Sequence, residues 1–257
     1  MRFGICSPPE QASDMAAAGF DYVEWPLRNI VELDGEAYAG LRDHARTLTI
    51  APEAYNVMLP GAIKVTGPDA DLRAIERYLD LAYSRVAELG GSVVVFGSGG
   101  SRNVPEGWPH EEALRQLEEV CRVAGDIASG HGITVAVEPL NTRESNIINT
   151  VEEGADLVRR VAHPSVRVLS DLYHLSVNGE GFEGTVAAGP LLAHVHVAIP
   201  EDRGMPLPHR GGDVLARYFR ALRDAGYDGR VSVEARWSPD EVTAGAAYLR
   251  DTWAGVT

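Results

Sequence analysis

Four short apolar runs in the second half of the chain close on, or carry, ionisable residues: Val-Ala-Val-Glu138-Pro, Val-Leu-Ser-Asp171, His194-Val-His196-Val and Val-Ser-Val-Glu234-Ala. Runs of this kind read as β-strands, whose side chains alternate between two faces, so His194 and His196 share one face. By the same rule Ser232 lies on the face of Glu234 and Ala136 on that of Glu138, small residues that leave room for an inward acid. Two glutamates, an aspartate and a histidine converging on one point repel one another without a cation between them. Three carboxylates and an imidazole suit a single divalent ion. The oxygen-rich set favours Mn²⁺ or Mg²⁺, and Co²⁺ or Zn²⁺ is also compatible. Within the seventh run His196 reads as the ligand, and His194, one layer deeper, as a structural or hydrogen-bonding support.

The rest of the chain supplies what must hold those residues. Strand-like segments occur at 2–6, 20–25, 47–55, 92–96, 133–138, 166–171, 193–198 and 230–235. Amphipathic, helix-like stretches fall between them, at 10–18, 35–46, 69–89, 111–129, 151–161, 211–225 and 239–253; the pattern is faintest over 179–188. Glycine closes several of the helices, as in Ala-Gly-Phe-Asp at 18–21 and Ala-Gly-Tyr-Asp at 225–228, where a left-handed residue ends a helix. Alternating strands and helices imply a parallel sheet, and eight such units fit an α/β fold of the (β/α)₈ TIM-barrel class, a single domain over 1–257. A doubly wound sheet normally has a glycine-rich turn after its first strand, whereas this one ends Cys6-Ser7-Pro8-Pro9. In a barrel, chemistry collects at the C-terminal strand ends, which is where the four charged positions fall.

Composition removes several classes. Among 257 residues, 23 Lys+Arg stand against 37 Asp+Glu, a formal charge of −14 that repels phosphate backbones, so neither nucleic acid nor an anionic membrane is an expected partner. Two cysteines, Cys6 and Cys121, exclude a disulfide framework and a four-cysteine zinc site. No apolar run approaches the ~18–20 residues of a membrane span. The N-terminus enters a strand with no signal-like apolar region, so a cytoplasmic location is expected.

Taken together, the motifs Glu138-Pro-Leu-Asn141-x-x-Glu144, Asp171-x-x-His174, His194-x-His196 with Arg203 following, and Val-Glu234 resemble one known family. The chain is similar over essentially its whole length to the xylose-isomerase-like sugar isomerase/epimerase barrels, in particular the ketose 3-epimerases and hydroxypyruvate isomerases. That resemblance implies Glu138, Asp171, His196 and Glu234 as the metal ligands, with Glu138 and Glu234 as the catalytic acid/base pair. It implies that His174 and Arg203 contact substrate oxygens, with Glu144 beside them. Cys6, Asn56 and Trp108 complete the expected substrate wall. Relatives of this kind are often dimers or tetramers, so a homodimer or homotetramer is the assembly the resemblance suggests.

The chemistry so implied is proton abstraction next to a metal-bound carbonyl, through an enediolate, on a small ketose, keto-hydroxy acid or sugar phosphate. Return of the proton to the opposite face gives epimerisation, and return to the neighbouring carbon gives isomerisation. Expulsion of a β-hydroxyl gives a dehydratase of the inosose or dehydroshikimate type, the principal alternative. An AP-endonuclease-like nuclease and a non-catalytic accessory subunit are the remoter ones. The glycine-rich Phe96-Gly-Ser-Gly-Gly-Ser-Arg102 segment reads equally as an anion cradle or a tight turn, with Arg102 and Lys64 as cations that a phosphate or carboxylate would use. The loops around Trp108 and over 199–209 are long enough to act as lids.

Overall fold

Valine is the commonest strand residue, as suits strands covered by helices on one side and by barrel filling on the other. The computed structural model describes residues 1–256. Its strands are β1 (Arg2–Cys6), β2 (Tyr22–Pro26), β3 (Pro52–Asn56), β4 (Val93–Phe96), β5 (Thr134–Val137), β6 (Val166–Asp171), β7 (Leu192–Val197) and β8 (Arg230–Val233). All neighbours pair in parallel and in chain order, and β8 returns to β1 through Phe3↔Val231 and Ile5↔Val233, closing the barrel. This is the (β/α)₈ barrel.

The outer helices bury one stripe each. The helix Val151–Val161 buries Val151, Ala155, Leu157, Val158 and Val161, while Thr150 caps its start by accepting the Glu153 N–H. The helix Leu72–Glu88 is capped in the same way by Asp71, which accepts from Ala74. No helix among the described residues is long and apolar enough to cross a membrane.

Several element boundaries differ from the sequence reading, and two regions bear on the site. The third strand starts at Pro52 rather than 47, because Thr47 is spent closing the preceding helix. Its N–H and hydroxyl both donate to the His44 carbonyl, at 2.9 and 2.7 Å. The strand therefore runs on to Asn56 and delivers that side chain to the mouth. The weakly patterned region after β6 forms two short helices, Leu172–Asn178 and Glu183–Ala188, with Gly179 ending the first at φ 67°.

Inside the barrel, Tyr22, Ala54, Val93, Val95, Ala136 and Leu169 form one packed cluster. Tyr22 is the bulky member, and its hydroxyl pairs with Ser232 at 2.9 Å. Its ring occupies the space a side chain on Gly4 would need: a Cβ there would lie 2.3 Å from the ring. Gly4→Ala is therefore expected to destabilise the fold by about 1–3 kcal/mol through overpacking, read as a lower urea midpoint at unchanged m-value. An unchanged midpoint would mean the space around Gly4 is not close-packed.

Candidate metal centre and substrate pocket

The C-terminal strand ends and the residues just past them deliver the charged cluster. Glu138 follows β5, its N–H held by the Phe96 carbonyl at 3.2 Å, and Glu234 follows β8, its N–H held by Val197 at 3.1 Å. Asp171 ends β6 and lies in register with His196 on β7. One ligand atom from each of Glu138, Asp171, His196 and Glu234 lies within 4.8 Å of all the others. His196 Nδ1 is 3.2 Å from Glu138 Oε1 and 3.5 Å from Glu234 Oε2. Asp171 Oδ1 accepts the Tyr173 N–H at 2.7 Å, whereas its Oδ2 is buried and has no hydrogen-bond partner among the described residues. A buried carboxylate oxygen left unpaired is costly, and a cation at this point would satisfy it. The donor set, three carboxylate oxygens and one imidazole nitrogen, fits a hard divalent ion.

Beneath the cluster lies Glu24, in the middle of β2 and fully buried. Its two oxygens receive His194 Nε2 at 2.8 Å and His196 Nε2 at 3.0 Å. Each oxygen thus has its own imidazole donor, and the His196 ring is held with Nδ1 facing the cluster. The support expected of His194 is thereby a specific contact: it holds the Glu24 carboxylate. The sequence reading missed Glu24, although an acid inside the run Tyr22-Val-Glu24-Trp25 is an available signal. Attention to strand ends in the second half of the chain passed over it.

The charges act on one another strongly. Burial opposes ionisation of Glu24, yet His196 and His194 hold its carboxyl well below the usual range. Burial likewise opposes the His196 cation, but Glu24 and Glu234 push its pKa well up. Glu138 and Asp171 are both raised, chiefly by burial and further by the charge of Glu234. Glu234 goes the other way: against its burial, His196 and Arg203 hold it ionised. Desolvation pushes His174 down, so its imidazole stays neutral.

A pocket of about 300 Å³ opens above the cluster, with Asn56, Glu138, Glu144, His174, Arg203 and Glu234 in its wall. Arg203 binds the Glu234 carboxylate through Nη2 and stacks 4.7 Å from the Tyr173 ring centroid. It stands in the 199–209 loop at φ 49°, a left-handed backbone that aims the guanidinium inward. Asn56 Nδ2 reaches Glu234 Oε1 at 3.4 Å. Gly97 at the end of β4 has no room for a side chain, since a Cβ there would lie 2.2 Å from Glu138 Oε2. The half-buried Cys6 lies below, its Sγ within 4.8 Å of the ligand atoms of Glu24 and His196 and its thiol raised by burial.

Other expected wall residues are placed elsewhere. Trp108 is partly buried and packs against the hydrophobic core, outside the pocket wall, because its apolar ring is covered there. Arg102 is fully buried and not available to an anion: Nη1 donates to the Phe96 carbonyl at 2.9 Å and Nη2 to the Glu138 carbonyl at 2.6 Å. It ties the ends of β4 and β5 together. Lys64 donates to the Gly100 carbonyl at 2.8 Å. His44, His110, His131 and His209 are exposed and take no part in the cluster.

Comparison with known proteins adds an independent line. The family model described as "Xylose isomerase-like TIM barrel" matches residues 12–252. The D-psicose 3-epimerase of Ruminiclostridium cellulolyticum is 34% identical over 121 residues, 47% of this chain and 40% of that protein. The D-psicose 3-epimerase of Agrobacterium fabrum is 28% identical over 232 residues, 86% of this chain and 76% of that protein. Among solved structures, a D-psicose 3-epimerase in the presence of D-fructose superposes with a TM-score of 0.86 at 22% identity, covering 99% of this chain and 100% of that one. At that identity the superposition speaks for the fold.

If Glu24 orients His196, Glu24→Gln should weaken Mn²⁺ binding about 10–100-fold in a calorimetric titration. Wild-type affinity in a folded variant would remove that role.

Proposed function

The chain belongs to the xylose isomerase-like TIM-barrel family, and from that premise we propose that it is a divalent-metal-dependent epimerase or isomerase of a small ketose or hydroxy-keto acid. The observation that carries this reading is the placement of Glu138 and Glu234. Both carboxylates reach the same pocket, from β5 and β8, with His196 Nδ1 between them at 3.2 and 3.5 Å. A pocket that only bound a sugar would have no use for two facing carboxylates beside unpaired Asp171 Oδ2.

Glu138, Asp171, His196 and Glu234 would hold the ion. When bound, it polarises a substrate carbonyl and acidifies the neighbouring C–H. Glu138, whose affinity for a proton is raised by burial, takes the proton from that carbon, and Glu234 serves the opposite side of the substrate. Arg203 keeps Glu234 ionised and fixes its rotamer through the Nη2 contact and a 3.3 Å bond from Nε to the Glu234 carbonyl. The neutral His174 and the guanidinium of Arg203 line the space where substrate oxygens would sit. The wall is mostly polar, and its volume suits a small carbohydrate, the class on which D-psicose 3-epimerase relatives act by name. A nuclease reading has no support in the cluster, since the exposed histidines stand apart from it.

Two measurements test the proposal. Metal analysis by plasma mass spectrometry should find about one divalent ion per chain, removed by chelator and lost in Glu234→Ala. With Mn²⁺ restored, the protein should exchange the carbon-bound proton next to the carbonyl of ketoses or hydroxypyruvate for solvent deuterium. Glu138→Gln and Glu234→Gln should each slow that exchange about 10²–10⁴-fold. Full exchange in either variant would refute the paired acid/base roles, and a metal-free wild type after Mn²⁺ addition would refute the mechanism.

A further inference from the structure

Asn141 and His174 meet through a set of hydrogen bonds whose direction can be worked out atom by atom. The Asn141 backbone N–H donates to His174 Nδ1 at 3.1 Å, and Asn141 Nδ2 lies 2.7 Å from the same nitrogen. Asn141 Nδ2 also donates to Glu144 Oε1 at 2.8 Å, while Asn141 Oδ1 accepts the Arg143 N–H at 3.0 Å. An ionised carboxylate only accepts and a backbone N–H only donates, so the amide has one consistent orientation. Both hydrogens of its NH₂ group are assigned, one to Glu144 and one to His174. Nδ1 therefore faces two donors and must present its lone pair. The single ring proton of the neutral imidazole then sits on Nε2.

Among the described residues that Nε2 has no hydrogen-bond partner, although the histidine is only 3% exposed. Its nearest acceptors, Asp171 Oδ2 at 3.7 Å and Glu138 Oε1 at 3.9 Å, lie beyond hydrogen-bond reach. The side chain belongs to the pocket wall, so the N–H is directed at the space beside the candidate ligands. From across the mouth, Arg203 Nη1 stands 3.7 Å from Glu144 Oε1, which anchors the far end of the chain of contacts.

We propose that Asn141 is a positioning residue that locks His174 in its Nε2–H form, a neutral donor reserved for a hydroxyl or carbonyl oxygen of the substrate. This rests on the reading of the pocket as a sugar site. A donor with no internal partner costs folding free energy that only an incoming acceptor recovers. An oxygen-bearing ligand satisfies it, and an apolar one does not. Keeping the ring neutral also leaves the negative charge of Glu138 and Asp171 undiminished for a cation.

Nitrogen NMR on the full-length chain labelled with ¹⁵N-histidine tests the assignment, in chelator-treated and Mg²⁺-loaded protein. The His174 signals are identified by their loss in His174→Gln. The expected result is an unprotonated Nδ1 and a protonated Nε2 in both forms; a proton on Nδ1 of the wild type overturns the proposal. Asn141→Asp replaces a donor by an acceptor of the same shape and is expected to draw a proton onto Nδ1. An unprotonated Nδ1 in that variant would show that residue 141 does not set the tautomer. The wild-type spectrum decides even if the variant does not fold. Nitrogen shifts are read without substrate, so failure of the tautomer assignment and failure of the catalytic reading are separate results.

Discussion

Repulsion among buried carboxylates governs this barrel mouth. Glu24, Glu138, Asp171 and Glu234 come from four strands and converge with few cations to offset them. Glu24 is stabilised from within by two imidazoles, Glu234 by Arg203 and His196. Glu138 meets His196 Nδ1 at 3.2 Å and Asp171 accepts the Tyr173 N–H, yet burial raises both. The imbalance falls on Glu138 and Asp171, beside the buried Asp171 Oδ2, where a divalent charge would offset it.

The scaffold is shaped to allow this crowding. Small residues recur beneath and beside the acids, Ala136 under Glu138 and Ser232 under Glu234, while Gly97 leaves the Glu138 carboxylate the room that a side chain would fill. Filling is supplied one layer down by Tyr22, whose ring occupies the space above Gly4. Arg102 then joins the β4 and β5 ends by bonding both the Phe96 and the Glu138 carbonyls. A fully buried guanidinium is costly, and burial lowers its pKa to about 10. What it secures is the backbone on which Glu138 is mounted.

Polarity as well as charge is fixed around the pocket. Glu24 orients His196 from below with its Nδ1 toward the cluster, and Asn141 orients His174 from the side with its Nε2 toward the pocket. The two histidines thus face the same region, His196 through Nδ1 and His174 through Nε2. Arg203 connects the two halves, touching Glu234 on one side and Glu144 on the other. A ligand with one chelating pair of oxygens and a further hydroxyl would match that arrangement.

The amino-acid order by itself determined the barrel, because period-two alternation, glycine helix ends and unit length are local properties of the chain. It also placed Glu138, Asp171, His196 and Glu234 at one mouth, since a residue at a strand's C-terminal end has only one place to go in a closed parallel barrel. Asn56 was named for the substrate wall and lies in it, although the start of its strand was blurred by Thr47, whose hydroxyl closes a helix rather than opening a strand. Glu24 under His194 and His196 was decided by closure alone: β2 and β7 are 170 residues apart at the contact, and no local pattern encodes which side chains meet across the interior. The same holds for Arg102, which reads as a loop cation and becomes an internal brace, and for Trp108, which reads as a lid and becomes packing. A sequence states which groups a strand end carries; only the folded chain determines which of them face each other, because distance and direction across the barrel depend on every strand at once.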